Sequence, residues 1–469
     1  MRVSVAALLV VAGAGCPDRG VAAIQPTQNG AITKTIPVSA DVDILFVIDD
    51  SASTADKQEL FGSNFPRFVQ ALDEFPGNGS GGHLRPNLHI GITTSSIDIG
   101  AGGDLGGDAC HASATDGHLR AAGSNCQPIT SGTYFTDVAD GSGRDVNYTG
   151  DLADAFACVA NVGDTGCGFE SPLEAMKRAL DGSHSENAGF IRPGAFLAVV
   201  ILTDEDDCSA NDDSLFSLDG SDAGPEDFRC TRFAYQCDQP ISPSAAGNYT
   251  NCSVRTDSYL RDPADYYEFL STLKDPSQIV VALIAGDPTP NVATGPLTQN
   301  NHTQPLALLP TCHATIDGSD AIGRPGDRLS AFAAHAGTHG LFQSVCQDEY
   351  EDALAQIGSL LFEAVSPCLD GPIDLRDAEP TNPGVQPDCE VSDVTDINTP
   401  QQHDTPLSPC EMTDATTPTA GGARPCWWVA PDATTCGGSA TPTQLALHVE
   451  RDAAPPTGTD TVVSCAVDP

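Results

Sequence analysis

Basic residues are scarce in this chain of 469 residues. It contains 21 Lys and Arg against 64 Asp and Glu, which gives a formal net charge of -43 at pH 7. Long-range repulsion of this size opposes the approach of nucleic acid and of anionic membrane surfaces. We therefore expect no nucleic-acid partner, and contact with a membrane only through a covalent lipid.

The common motifs of zinc binding and of hydrolysis are also missing. The sequence has no C-x-x-C pair, which makes zinc a weak explanation for its cysteines. It has neither H-E-x-x-H nor G-x-S-x-G. His335 and His339 are four residues apart, but Gly337 between them favours a turn. The expectation is that the protein is not an enzyme.

The apolar run near the N-terminus, Val3 to Val11, is short for a membrane span. It follows Met1-Arg2 and precedes small residues and Cys16, which predicts a signal peptide over residues 1–15. The small residues before Cys16 resemble a bacterial lipoprotein site, and Cys16 is the predicted lipid attachment point. Ordinary signal cleavage, with Cys16 free or paired, is the alternative. The predicted location is therefore exported and lipid-anchored, at the bacterial outer membrane or cell surface, with a flexible linker over 16–40.

The cysteine count agrees with export. Of 17 cysteines, setting Cys16 aside leaves an even number, which an exported chain is expected to pair in disulfides. Sequence does not fix the connectivity. A short loop favours Cys158–Cys167, and we also predict Cys110–Cys126 and Cys312–Cys346.

Strand and helix patterns alternate over residues 41–366. This order predicts an α/β domain with a doubly wound, mainly parallel sheet flanked by helices. The periodicity fades near 97–165, 205–260 and 288–326, which are predicted as disulfide-rich insertions.

From residue 367 to 469 the composition shifts to Pro, Thr and Asp, with further cysteines. We predict a small, mostly β, disulfide-stapled module there. Trp427 and Trp428 are the two tryptophans of the chain. One is expected to anchor the core of this module, and an exposed aromatic contact for a partner is the alternative.

The stretch from Val42 to Ser53 carries the most informative polar pattern. A buried apolar strand ends at Asp49, and Ser51 and Ser53 follow at alternate positions. Ligands of open α/β sheets bind at the carboxyl ends of the strands. Carboxylate and hydroxyl oxygens suit Mg²⁺, Ca²⁺ or Mn²⁺. The alternative is that these side chains cap the following helix.

This stretch resembles a known family. The residues Asp49 to Ser53 match the D-x-S-x-S signature of the von Willebrand factor A (vWA) domain, in the first loop of its metal-ion-dependent adhesion site (MIDAS). The resemblance implies a Rossmann-like α/β fold over 41–366 and two further metal ligands. Glu170 stands where the family usually has Thr, although the integrin β-subunit branch also uses Glu. A solvent-facing Glu near a positive helix terminus is the alternative.

The family's third ligand is matched by Asp204, which ends the apolar strand starting at Phe196. Asp204 opens an acidic cluster, and like charges at close range repel without a cation. The next three residues, Glu205, Asp206 and Asp207, are a candidate second cation site. An ordinary surface loop is the alternative.

These features predict a cell-surface protein that binds a divalent cation and, through it, a carboxylate oxygen of a protein or glycan ligand. The expected role is adhesion or surface assembly. Two alternatives remain. One is an exported metal-dependent hydrolase that uses the same acids. The other is a structural surface protein with an empty metal site.

Overall fold

The computed structural model describes part of the chain between residues 31 and 467. The described ranges are 31–37, 41–73, 85–100, 110–111, 114–140, 143–218, 220–225, 228–299, 302–316, 318–369, 371–376, 378, 380–397, 401–433, 435–436, 443–453, 455–456 and 459–467. The predicted signal peptide and the predicted lipid attachment at Cys16 lie outside these ranges. Among the helices that are described, none combines the length and apolarity needed to cross a bilayer.

The described chain forms strands and helices in alternation. The strands are β1 (Ala31–Pro37), β2 (Asp41–Ile48), β3 (Asn87–Thr94), β4 (Phe135–Ala139), β5 (Arg144–Val146), β6 (Phe196–Leu202), β7 (Tyr235–Gln236), β8 (Gly247–Tyr249), β9 (Ser253–Val254), β10 (Ile279–Ala285), β11 (Val292–Gln299), β12 (His302–Leu308), β13 (Cys312–Ile316), β14 (Ser319–Gly323), β15 (Gly340–Ser344), β16 (Cys389–Thr395), β17 (His403–Pro409), β18 (Cys426–Pro431), β19 (Leu445–Glu450) and β20 (Thr459–Ala466). The helices are α1 (Ala55–Asp73), α2 (Leu152–Ala160), α3 (Pro172–Leu180), α4 (Gly220–Ala223), α5 (Arg229–Ala234), α6 (Pro263–Leu273), α7 (Asp327–Ala334) and α8 (Glu351–Val365).

The central sheet has seven strands in the order β15-β10-β6-β2-β3-β4-β5. The first five of these pair in parallel, while β4 and β5 add an antiparallel edge. Strands β6 and β10 are buried along their whole length, as expected for parallel strands covered on both faces. The prediction of an α/β chain with a mainly parallel sheet is therefore confirmed.

The chain crosses the sheet in both directions from β2. It goes from β2 to β3 on one side, and later enters β6 on the other side before continuing to β10 and β15. The direction of travel thus reverses between β2 and β6. The two connections therefore leave from the carboxyl ends of β2 and β6 toward opposite edges of the sheet.

Two apolar cores cover the faces of this sheet. Alternate residues of β2 point to opposite faces, so Phe46 packs with α1, α2 and α8, while Leu45 and Val47 pack with α3, α6 and α7. Phe46 contacts three phenylalanines of α1 and, at 4.8 Å between ring centroids, Phe156 of α2. Burial of these rings fixes α1 at the end of β2, where the Asp49 loop begins.

Eight disulfides join the cysteines of the described chain. The pairs are Cys110–Cys167, Cys126–Cys158, Cys208–Cys230, Cys237–Cys252, Cys312–Cys346, Cys368–Cys436, Cys389–Cys465 and Cys410–Cys426. A chain with this many disulfides belongs to an extracellular or otherwise oxidising compartment.

One of the three predicted disulfides is confirmed, namely Cys312–Cys346. The predicted pairs Cys158–Cys167 and Cys110–Cys126 are wrong, because the same four cysteines exchange partners. Cys158 lies on α2 against one core, and Cys167 is buried in the core on the other face of the sheet. A short separation along the chain therefore does not bring these two sulfur atoms together.

The three predicted insertions contain more regular structure than expected. Residues 97–165 supply β4, β5 and α2, which extend the central sheet and cover one of its faces. Residues 205–260 hold short elements pinned by two disulfides. Residues 288–326 form two antiparallel pairs, β11–β12 and β13–β14.

The C-terminal residues form five strands of a second sheet of six, and β1 is the sixth, in the order β1-β20-β16-β17-β18-β19. Trp427 is buried in its core and donates a hydrogen bond to the Leu407 carbonyl at 3.1 Å. Trp428 is half-buried and stacks on His448. The core role predicted for one tryptophan is thus confirmed for Trp427.

The predicted flexible linker over 16–40 is wrong for residues 31–37, which form β1. This strand pairs with β20, and Ile36 is buried in the core of the second sheet. The Lys34 ammonium donates to the carbonyls of Glu363 and Cys368 at 2.9 Å and 2.8 Å. The strand thus joins the second sheet to the end of α8.

Candidate metal centre

Asp49 and Asp204 follow two strands that lie side by side. In the parallel pair β2–β6, Ile48 is opposite Leu202. The Asp49 N–H donates to the Leu202 carbonyl at 2.9 Å. Asp49 and Asp204 therefore follow neighbouring strands at the same edge of the sheet.

The Asp49 carboxylate is fully buried and both of its oxygens accept hydrogen bonds. One accepts from the Ser51 N–H at 2.8 Å, and the other from the Thr203 hydroxyl at 2.6 Å. The Ser95 hydroxyl also lies 3.5 Å from the first of these oxygens, and together the bonds orient the carboxylate. Its geometry is therefore set before any ligand arrives.

Ser51 and Ser53 connect this loop to Asp204. Their hydroxyl oxygens are 3.2 Å apart, and the Ser53 hydroxyl donates to the Asp204 carboxylate at 2.9 Å. Helix α1 starts at Ala55, so both serines precede it. Their hydroxyls contact each other and Asp204, whereas the capping alternative would have them accept from backbone N–H groups of α1.

Glu170 reaches the same region from the loop before α3. Glu170 is only 3% exposed, so the alternative of a solvent-facing Glu is wrong. The Glu170 carbonyl accepts from the Cys208 N–H at 2.7 Å, which ties this loop to the segment after β6.

A close approach at Gly166 presses the Glu170 loop against the Asp49 loop. The Gly166 N–H donates to the Asp50 carbonyl at 2.6 Å. A Cβ at position 166 would lie 2.2 Å from an Asp50 carboxylate oxygen and 2.6 Å from the Asp50 carbonyl oxygen, so only glycine fits. The disulfide between Cys110 and Cys167 holds the next residue.

Two cationic side chains that we did not anticipate lie among these acids. Lys57 is 1% exposed, and its ammonium is 3.0 Å from the Asp204 carboxylate and donates to the Ser53 carbonyl at 2.8 Å. The Arg324 guanidinium forms an ion pair with Glu205. Lys57 follows Ser53 by four residues, so helical spacing could have indicated it. Arg324 comes from a distant segment, and nothing in the local sequence indicates it.

The three acids of the candidate second cation site are held by hydrogen bonds and ion pairs to other protein groups. The Asp206 carboxylate accepts from the backbone N–H groups of Arg328 and Leu329 at the start of α7. The Asp207 carboxylate pairs with the buried Arg328 guanidinium at 3.0 Å. Glu205 pairs with Arg324, so each of the three carboxylates already has a protein donor that a second cation would have to displace.

The remaining acids carry unbalanced charge. Burial, and after it the Asp204 charge, raises the pKa of Asp49 to about 7. The pKa of Glu170 is also well above its usual range. Burial is the largest cause, and the charges of Glu205 and Asp49 raise this pKa further. The ionised carboxylates of Asp49, Glu170, Asp204 and Glu205 outnumber the cationic side chains of Lys57 and Arg324, and Lys57 is also shared with Asp56 at 3.3 Å. A divalent cation would offset part of this negative charge, and carboxylate and hydroxyl oxygens are the donor types that Mg²⁺, Ca²⁺ or Mn²⁺ prefer.

Stability in the presence of a chelator is expected to fall as pH rises from about 4 to about 7. A carboxyl with a raised folded-state pKa binds more protons folded than unfolded, so deprotonation destabilises the fold in that range. Asp43 and Asp460 add to this fall, since burial raises their pKa values to about 6 and about 7.

A cation binds ionised Asp49, so stabilisation by Mg²⁺ should grow through the same pH range. Thermal unfolding at several pH values, with EDTA or with MgCl₂, measures both trends. A Mg²⁺ effect that is flat with pH would contradict this prediction.

Comparison with known proteins adds little to this geometry. No protein-family model matches the chain, and no curated protein matches it. Among solved structures, the human COPII-coat protein Sec24c aligns with a TM-score of 0.26 and 10% sequence identity. The alignment covers 93% of this chain and 41% of that one, so this chain spans less than half of its length. A similarity this low carries no argument about fold or function.

Proposed function

We propose that residues 41–366 form a vWA-type domain of an exported surface protein, and that it binds a divalent cation through Asp49, Ser51, Ser53, Glu170 and Asp204. Through that cation it would hold a carboxylate of a protein or glycan ligand. The observation that carries this proposal is the placement of Asp49 and Asp204 just after the two strands between which the chain reverses direction.

The strand order supports a doubly wound fold. Numbered along the chain, the parallel strands β3, β2, β6, β10 and β15 have the order 2-1-3-4-5. In sheets of this order the ligand site lies at the switch point between strands 1 and 3. Here these strands are β2 and β6, and the D-x-S-x-S match follows β2.

Solvent would approach the proposed site from the side of Ser53. Ser53 is half-buried and Ala52 beside it is exposed, whereas Asp49 and Asp204 are buried. These residues would hold the cation, and a carboxylate of the ligand would supply a further oxygen, as the family resemblance implies.

The surface location rests on two separate observations. The disulfides support export, and the residues before Cys16 support lipid attachment at the outer membrane or cell surface. A cation would allow a protein of net charge -43 to accept an acidic group at short range. Adhesion or assembly at the surface is the role that combines these properties.

Mn²⁺ and acetate provide a test that needs no knowledge of the natural ligand. We expect one Mn²⁺ per chain by electron paramagnetic resonance, with binding lost in Asp49→Asn. Acetate should then displace a metal-bound water and lower the water-proton relaxivity of the Mn²⁺ complex. The matched control is Asp43→Asn, at the other end of β2, which should bind Mn²⁺ and acetate as the parent does.

Each alternative function has its own outcome. Mn²⁺ binding with relaxivity unchanged by acetate would contradict the carboxylate ligand. Metal-dependent turnover of p-nitrophenyl acetate or p-nitrophenyl phosphate, lost in Asp49→Asn, would favour the hydrolase. Absence of Mn²⁺ binding would leave the structural protein.

A further inference from the structure

Three potential metal ligands meet on the surface beyond the C-terminal end of α3. The His118 Nδ1 is 2.7 Å from a Glu186 carboxylate oxygen, and the rings of His118 and His184 have centroids 3.8 Å apart. One ligand atom from each residue can be chosen so that all three lie within 4.8 Å of one another. We propose that His118, His184 and Glu186 bind a transition-metal ion, with Zn²⁺ as the best fit.

The hydrogen bond of His184 leaves one ring nitrogen available. Its Nε2 is 2.6 Å from the Asp116 carbonyl, which can only accept. Nε2 therefore carries the hydrogen, and in the neutral ring Nδ1 keeps its lone pair. Metal-binding histidines usually donate their second N–H in this way, because the bond fixes both tautomer and ring orientation.

A buried asparagine holds the two segments of the cluster together. Asn187, directly after Glu186, donates to the carbonyls of Gly117 and Ala179 at 2.9 Å and 3.1 Å. Its side-chain oxygen accepts from the Leu119 N–H at 3.1 Å. These bonds flank His118 on both sides, so the position of its backbone does not depend on the metal.

The turn before His118 is also fixed against α3. Gly117 has φ +86°, and a Cβ there would lie 2.7 Å from the Ala179 nitrogen. Only glycine combines this backbone conformation with so close an approach. The cluster therefore lies on two segments held in place by α3.

The donor set distinguishes this cluster from the site at Asp49. Two imidazoles and one carboxylate suit Zn²⁺, whereas Mg²⁺ and Ca²⁺ prefer oxygen ligands. Tetrahedral Zn²⁺ would retain a fourth position for water or for an incoming ligand. Glu170 precedes α3 and the cluster follows it, so the two sites are separated by roughly 13 Å of helix.

Zn²⁺ titration of the mature chain, with MgCl₂ in excess, tests the proposal. We expect one equivalent of Zn²⁺ by calorimetry. His118→Ala and His184→Ala should each weaken its dissociation constant by about tenfold or more, and the double variant should abolish binding. The matched control is His313→Ala, because His313 is an exposed histidine 3.4 Å from Asp320 and, within the described part of the chain, does not belong to the three-ligand cluster. It should bind as the parent does.

Two further measurements keep the result interpretable. Bound Co²⁺ should give visible d–d bands that disappear in the double variant, while melting temperature without metal should be unchanged because the replaced rings are partly exposed. Zn²⁺ binding that persists in the double variant, or that is lost equally in His313→Ala, overturns the proposal. Zn²⁺ binding lost in Asp49→Asn also overturns it, since the ion would then occupy the other site.

Discussion

Asp49→Asn is expected to abolish the stabilisation of this protein by divalent cations. In the parent, a cation at 100-fold excess over its dissociation constant should add about 2.7 kcal/mol to the free energy of unfolding. Asparagine keeps the shape of the side chain, but it removes the charge at the centre of the proposed site. Thermal unfolding with MgCl₂ or CaCl₂, and again after EDTA, measures the change.

Asp43→Asn is the matched control for this experiment. Asp43 lies on the same strand, is equally buried and also has a raised pKa, but its carboxylate pairs with Arg192 at 2.7 Å at the other end of the sheet. This variant should lower overall stability and keep the full response to cations. A parent-like response in Asp49→Asn would show that the cation binds elsewhere.

Lys57→Met is expected to destabilise the chelated protein by about 3–5 kcal/mol, the usual loss when one member of a buried ion pair is removed. The Lys57 ammonium is the cation nearest to Asp204 when no metal is bound, at 3.0 Å. Burial opposes its charge, but Asp204 and Asp56 outweigh burial and raise the pKa of Lys57. A divalent cation can replace the lost charge, so Mg²⁺ should stabilise Lys57→Met by more than it stabilises the parent. Denaturant unfolding with and without Mg²⁺ gives both values.

Lys177→Met controls for the loss of a helical lysine. Lys177 is partly exposed on α3, and its ammonium is 3.9 Å from Glu174 and 3.8 Å from Asp181. Surface pairs of this kind contribute about 0–1 kcal/mol. Equal effects of the two substitutions, or an unchanged Mg²⁺ response in Lys57→Met, would contradict the role assigned to Lys57.

Much of the central sheet could be predicted because its signals are local. The apolar run from Phe196 to Leu202 forms β6. Asp262 caps α6, where its carboxylate accepts from the Ala264 N–H at 3.0 Å, and Pro263 is the first helical residue. Such features depend on residues within one or two turns of each other, so periodicity and capping are sufficient to find them.

The candidate site at Asp49 was predictable for a related reason. Parallel strands bring their carboxyl ends to one edge of the sheet, so acids that follow two long apolar strands are expected to meet. Asp49 and Asp204 are separated by 155 positions in the sequence, yet each can be identified from the apolar strand that precedes it. Glu170 was indicated only through the family pattern.

The amino-acid sequence by itself determined the alternation of strands and helices, the oxygen donors at the strand ends and the disulfide-forming character of the chain. Tertiary structure alone decided that Cys158 pairs with Cys126, that residues 31–37 complete the second sheet, and that Arg324 lies beside Glu205. It also decided that His118 meets His184 and Glu186. These contacts join segments on different elements, and their partners are selected by which face of the sheet each segment covers, a property that no local pattern encodes.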